Sequence, residues 1–268
     1  MASLRRVGDD GAAPVVVGQD GLGHLAPPGG GQPVRVKQQP EPAQRLALPR
    51  VGDIAEYVAV PAANTYRIPD SVDDAQGALI EPLSCAVHGL RRIGPVTGVD
   101  VLLTGAGTMG LLLLQLLRNA GAGSVSVVDR KESRLEAAKA VGADSIATDV
   151  AALDRGPFGV VVDATGAPAA IEAGFATLDR GGRLLVFGVT SGDATVSLSL
   201  FRIYNDEITV LGSMAVLNSF GAAADLMAAG VIDTEPLLGQ PYTLAEFPEA
   251  LASVRAGEGI KVQVAPNG

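Results

Sequence analysis

VLLTGAGTMGLLLLQLL, residues Val101 to Leu117, is the stretch on which the reading of this chain turns. It is apolar enough to suggest a membrane span. The run is slightly short for one, however, and Gly105, Gly107 and Gly110 interrupt it. A buried strand, a turn and a helix fit better, with the strand over Asp100 to Thr104 and the helix over Thr108 to Ala120. The turn then reads Gly105-Ala106-Gly107-Thr108-Met109-Gly110, a G-x-G-x-x-G in the strand-to-helix setting that a dinucleotide fingerprint requires. Gly105 allows the tight turn, Gly107 lets the backbone approach a pyrophosphate, and Gly110 lets helix and strand pack closely. The amides of the helix start, at Thr108 and Met109, face the phosphates with the helix dipole in support. The bland alternative is a glycine-rich turn that holds nothing.

The residue that favours the first reading is Asp129. It ends the next predicted strand, Ser124 to Asp129, about twenty residues downstream, where a carboxylate bonds both hydroxyls of an adenosine ribose. The same charge repels a 2′-phosphate, which favours NAD over NADP. Arg130 stands beside it and weakens that preference.

Outward from this unit, strands and helices alternate. Helix is predicted over Glu132 to Val141, strand over 160–163, helix over Pro168 to Leu178 closed by Gly181-Gly182, and strand over Arg183 to Gly188. A strand at Ile208 to Leu211 and a helix at Ser219 to Ala229 follow. This is an α/β class pattern, a Rossmann doubly wound, largely parallel sheet over residues 96–235. The tail holds a predicted helix, Leu244 to Ala256, and a strand, Ile260 to Val264. Before the unit, residues 55–61 alternate like a strand and 64–70 read as a short strand and turn. Ser71 opens a helix, and a second helix starts at Glu81-Pro82 and stops at Gly94-Pro95.

Composition narrows the function. Of the 268 residues, 47% are hydrophobic and 18% charged, so a core can be built. The net charge of −9 argues against nucleic acid or an anionic membrane as partner. The single cysteine excludes an internal disulfide and a four-cysteine zinc site, and it suits a reducing, cytoplasmic setting. No apolar segment of signal-peptide type follows Arg5-Arg6. Residues 1–50 stand apart: they hold seven of the 17 prolines and carry +2, leaving −11 for the remainder. Gly29-Gly30-Gly31 and Gln38-Gln39-Pro40 read as low complexity, with Val15-Val16-Val17 the one strand-like nucleus, so disorder is expected there.

ALIEPLSCAVHGL, Ala78 to Leu90, raises a second chemistry. Glutamate, cysteine and histidine are zinc-ligand types, and Glu81, Cys85 and His88 share one helix face. The helical rise spreads them over roughly 10 Å along the axis, whereas zinc needs its ligands at about 2 Å. The three therefore do not meet at one ion, and Cys85 and His88 read as packing residues.

From Gly52 onward the chain resembles the zinc-type medium-chain dehydrogenases, nearest the polyol, threonine and butanediol branch. The matching stretches are AEYVAVPAANTYRIPD, ALIEPLSCAVHGL, GAGTMGLLLLQLLRNAGA, VVDRKESRLEAAKAVGAD, DATG, GGRLLVFGV and EITVLGS. The resemblance implies an NAD-dependent oxidoreductase acting on a small alcohol or polyol. By the same resemblance, Arg134 lies near the adenosine ribose, Thr165 and Gly166 beside the cofactor, and Lys261 close to the pyrophosphate. Gly188, Val189, Ser213 and Met214 match backbone segments near the nicotinamide. Glu81 matches a glutamate at or near the catalytic zinc.

The chain also departs from that family. It has no cysteine before Cys85, and His24 lacks a following glutamate, so the principal zinc ligands are missing and zinc retention is not expected. Residues 51–95 and 236–268 read as the remnant of a GroES-like catalytic domain, and the chain as a truncated or frame-shifted form of a longer one. Without the metal, dinucleotide binding is kept while alcohol oxidation loses most of its transition-state stabilisation. Two alternatives remain: a zinc-independent quinone or enone reductase, and a non-catalytic dinucleotide-binding module. Homo-oligomerisation is expected, since the strand at Ile208 to Leu211 reads as an edge that needs cover and the family pairs dimers there.

Overall fold

The computed structural model describes residues 15–17, 65–215 and 218–266. The strand predicted at 55–61, His24 and the rest of the 1–50 segment lie outside the described residues. Strand β1 (Val15–Val17) pairs antiparallel with β2 (Thr65–Arg67).

Helix α1 (Asp74–Gly77) opens at Asp73, not at Ser71. Asp73 accepts the Gln76 N–H, and the Gln76 side chain accepts the Asp73 N–H, which makes a reciprocal capping box. Helix α2 (Ile80–Ile93) stops at Gly94, whose φ of 79° is the left-handed backbone that glycine adopts without a Cβ penalty. The alternating unit follows as β3 (Asp100–Thr104), α3 (Thr108–Asn119), β4 (Ser124–Val128), α4 (Glu132–Ala140), β5 (Ser145–Ala147), β6 (Phe158–Asp163), α5 (Pro168–Ala176), β7 (Leu178–Val186), α6 (Leu200–Asn205), β8 (Thr209–Gly212) and α7 (Phe220–Ala228). The tail holds β9 (Tyr242–Thr243), α8 (Phe247–Ala256) and β10 (Val264–Ala265).

The six strands β3 to β8 form one parallel sheet in the order β5-β4-β3-β6-β7-β8. The order reverses between β3 and β6, which opens a crevice at the carboxyl ends of those two strands. Alternate side chains feed opposite faces. Val101, Leu103, Val160, Val162 and Leu185 join α2, α3 and α7 on one side, while Leu102, Val161 and Leu184 meet α5 on the other. Leu111 to Leu114 are fully buried, each contributing about 1.5–3 kcal/mol of burial free energy. The apolarity of Val101 to Leu117 therefore belongs to a core strand and helix. No helix among the described residues is long and apolar enough to cross a membrane.

Local differences from the sequence reading have local causes. Helix α5 ends at Ala176, and Gly181-Gly182 do not close it. They sit inside β7, where pairing shifts from Phe158–Leu178 to Val160–Arg183 and Gly181 takes a φ of 68°. The tail strand is shorter than expected, a bridge at Lys261 followed by β10. Strand β5, helix α6 and strand β9 are too short to carry a period of their own.

Candidate functional site

The glycine-rich turn is built as its spacing implies. Gly105 has a φ of 98°, and a Cβ there would stand 3.0 Å from Thr165 Cγ2 and 3.1 Å from the Ala164 carbonyl carbon. A Cβ on Gly110 would overlap the Gly105 carbonyl oxygen, so α3 sits on the turn at a distance only glycine allows. Gly107 caps α3, and only the tip of Arg134, 4.0 Å away, stands near the place a side chain would take. The first amides of α3 have no carbonyl one turn earlier and point out of the helix end.

Asp129 lies where the spacing places it, just past β4, with its side chain 10% exposed. Its Oδ2 accepts the Ala106 N–H at 2.8 Å and its Oδ1 accepts the Lys131 N–H at 2.9 Å. A carboxylate has about four lone-pair positions, so capacity remains for a ligand's hydroxyls. Arg134 Nη1 stands 3.7 Å from Asp129 Oδ2, and Arg134 Nε is buried without a partner. Asp129, Arg134 and Gly107 thus enclose one corner at the amino end of α3.

The opposite wall comes from the loops after β6, β7 and β8. Asp163, fully buried at the end of β6, organises it. Its carboxylate accepts the Thr104 hydroxyl at 3.0 Å, the Thr165 hydroxyl at 2.6 Å and the Gly166 N–H at 2.9 Å. Its backbone carbonyl accepts the Phe187 and Gly188 N–H groups. One residue thereby joins β3, the Thr165-Gly166 loop and the Gly188-Val189 loop across the sheet's reversal point. The two loops meet backbone to backbone. A Cβ on Gly166 would overlap the Val189 carbonyl oxygen, and one on Gly188 would overlap the Gly166 nitrogen. Val189 and Met214 stand almost fully exposed, while Ser213 Oγ is buried without a partner.

Lys261 arrives from the tail. Thr108 donates its hydroxyl to the Ile260 carbonyl at 2.8 Å, which lays the tail over the start of α3. That hydroxyl is therefore spent on the tail, leaving Thr108 its amide for a ligand. Burial pushes the Lys261 ammonium below the usual lysine range, and the Glu81 carboxylate pulls it back up. The Lys131 ammonium donates to the Gly257 carbonyl at 2.8 Å at the end of α8. Gln115 and Asp233 exchange two bonds that tie α3 to the start of the tail. Asp163, Lys131 and Gln115 escaped the sequence reading. Only Asp163 had a signal, an acid closing an otherwise apolar strand; the other two bond distant backbone that no spacing predicts.

Residues 108–229 match the family model of the zinc-binding dehydrogenases. D-arabinitol dehydrogenase 1 of Uromyces fabae is 35% identical over 228 residues, 81% of this chain and 65% of that protein. The sorbitol dehydrogenase of Homo sapiens is 32% identical over 227 residues, 81% of this chain and 63% of that protein. A solved structure from Sinorhizobium meliloti 1021, described as a zinc-binding dehydrogenase bound to NADP, superposes with a TM-score of 0.76 at 32% identity. It covers 81% of this chain and 67% of that one. The chain belongs to the zinc-binding dehydrogenases.

The chain spans less than two thirds of the length of those two curated relatives. Its residues fit a nicotinamide dinucleotide: Gly107 leaves space at the start of α3, and Arg134, whose buried Nε has no hydrogen-bond partner, brings Nη1 beside both Gly107 and Asp129. For the metal the fit fails within the described residues. Among them no group of three or more His, Cys, Asp or Glu side chains could hold a metal ion. Glu81 and Cys85 lie one turn apart on α2, and the Cys85 thiol donates to Glu81 Oε1 at 3.7 Å. The described residues do not by themselves form a zinc site.

Proposed function

We propose that this chain is an oxidoreductase that moves hydride between a secondary alcohol of the polyol type and a nicotinamide dinucleotide, NAD in preference to NADP. The observation that supports it most is the corner made by Asp129, Arg134 and Gly107 at the start of α3. A carboxylate held there by the Ala106 amide is oriented for ribose hydroxyls and repels a 2′-phosphate. The amides of Thr108, Met109 and Gly110 hold the pyrophosphate, with Lys261 beside it. The backbone of Thr165, Gly166, Gly188, Val189, Ser213 and Met214 lines the nicotinamide side. When bound, the nicotinamide ring supplies the hydride chemistry. Glu81 is the described residue assigned to the metal side, and the described residues supply no metal-dependent step.

The polyol class follows from the arabinitol and sorbitol dehydrogenases this chain resembles. A homo-oligomer is part of the same reading, because β8 is the last strand of the sheet among the described residues, with Val210 exposed on it. The single cysteine fits a cytoplasmic setting. Fluorescence titration with NADH and NADPH tests the core of the proposal. NADH should bind with micromolar affinity and NADPH about tenfold or more weakly, a difference of about 1.4 kcal/mol. No binding of either at millimolar concentration would overturn it. Turnover of a polyol panel with and without added zinc then separates a dehydrogenase from a binding module.

A further inference from the structure

The loops assigned to the nicotinamide side leave the carboxyl ends of β7 and β8, and α2 stands behind both. Gly89 of α2 lies against the first loop: a Cβ there would stand 2.9 Å from Cδ2 of Phe187, the residue before Gly188. Arg92, about one turn further along, reaches the second loop. Its Nε donates to the Gly212 carbonyl at 3.1 Å, just before Ser213. Arg91 Nη1 donates to the Asn218 carbonyl at 3.0 Å, just ahead of α7. The end of α2 is itself fixed from β7, because Arg183 donates to the Ile93 and Pro95 carbonyls at 2.6 and 2.7 Å.

The chain after β8 needs such fastening. Pairing with β7 ends at Gly212, and Met214 is 85% exposed. Ala215 takes a φ of 46° and Asn218 a φ of 51°, left-handed backbone that crowds any residue with a Cβ. Such a path persists only where its surroundings hold it. Two of the points held are the Gly212 and Asn218 carbonyls, and the holders are adjacent arginines on one helix.

We propose that Arg92, supported by Arg91, is a positioning residue for the nicotinamide half of the cofactor, acting through the backbone of Ser213 and Met214. This rests on the dinucleotide reading above. The arginines act on the loop and not on the ligand. Losing the Arg92 bond lowers the fraction of molecules whose loop is in the binding path, and the apparent affinity falls by that fraction. The adenosine and pyrophosphate half, at Asp129 and the start of α3, does not depend on that path.

The test titrates the full chain with NADH and with ADP-ribose, which keeps the adenosine and pyrophosphate but has no nicotinamide. Arg92→Gln retains an N–H donor at the place of Nε, whereas Arg92→Met has the same reach without one. Arg92→Met should weaken NADH about fivefold, the scale of one net hydrogen bond, and leave ADP-ribose nearly unchanged. Arg92→Gln should bind both ligands as wild type does. Arg91→Met, which leaves the Arg92 bond in place, should give a selective loss of NADH by an independent route. Both arginines are exposed, so the variants should fold, as thermal denaturation checks. Unchanged NADH affinity in the folded methionine variants, an equal loss of both ligands, or an Arg92→Gln variant as weak as Arg92→Met overturns this inference alone. So does a loss that appears only where sedimentation shows an altered assembly state. Wild-type protein that binds neither ligand overturns it together with the dinucleotide reading.

Discussion

Asp129 holds the glycine-rich turn from the neighbouring strand: its Oδ2 accepts the Ala106 N–H at 2.8 Å, and Ala106 is fully buried. The acid proposed to read the ribose is thus also the residue that satisfies the turn's own backbone. Asp129→Ala should cost about 1–3 kcal/mol of stability, because a buried donor loses its acceptor. Asp129→Asn keeps an acceptor oxygen and should retain most of that stability. It should nevertheless lose preference for NADH over NADPH, since the charge is gone. Urea denaturation and paired cofactor titrations separate the two effects. Equal cofactor preference in wild type and Asp129→Asn would count against the ribose role.

Gly110 and Gly188 should be intolerant of even one added methyl group. A Cβ at Gly110 overlaps the Gly105 carbonyl oxygen, and one at Gly188 overlaps the Gly166 nitrogen. The atoms in the way are backbone and have no rotamer to change, so the helix or loop must move. Gly110→Ala and Gly188→Ala should each lose about 1–3 kcal/mol and most of the dinucleotide affinity. Gly221, with nothing within 4 Å of its added Cβ, is the control, and Gly221→Ala should be neutral or slightly stabilising as a helix substitution.

Asp163 has four donors aimed at its carboxylate: the Thr104 hydroxyl, the Thr165 hydroxyl and N–H, and the Gly166 N–H. Asp163→Ala strands those donors and should cost about 3 kcal/mol or more, as several buried groups lose partners together. Asp163→Asn brings an N–H₂ group among donors and should fall between wild type and alanine. Thermal unfolding gives the order. An alanine variant as stable as wild type would show that the two loops are held by their backbone contact alone.

The open edge of the sheet makes a separate test. Ser213 N–H donates to the Val186 carbonyl of β7, so the backbone groups of Val210 and Gly212, which alternate with it, face away from β7. Arg92 Nε covers one of them, the Gly212 carbonyl, at 3.1 Å. Val210→Pro removes an edge N–H without touching the ladder to β7. If a second copy pairs at this edge, sedimentation should show the wild type as an oligomer and Val210→Pro shifted toward monomer at equal concentration.

Gln115 offers a test of how the tail is held. It donates to the Asp233 carbonyl and accepts the Asp233 N–H at 2.6 Å. Gln115→Leu should fit the buried site by volume yet leave both Asp233 groups short of a partner, costing about 1–3 kcal/mol. Faster proteolytic cleavage near residue 233 than in wild type is the accompanying readout.

The sequence by itself determined the α/β class, the strand-turn-helix at Val101 to Leu117 and the pairing of its glycines with Asp129. These are carried by short-range features: a period of 2 giving way to 3.6, and glycines where a Cβ cannot fit. It also showed that Glu81, Cys85 and His88 climb one helix, because helical rise alone fixes that spread. Only the tertiary structure decided the rest. Strand order placed the crevice between β3 and β6, and Asp163 became the joint between two loops because strands distant in sequence run side by side. Lys261 came to lie near the start of α3 because the tail folds back onto it, its Ile260 carbonyl accepting the Thr108 hydroxyl. Such contacts depend on closing long loops between segments with no local pattern in common, so no spacing in the chain announces them.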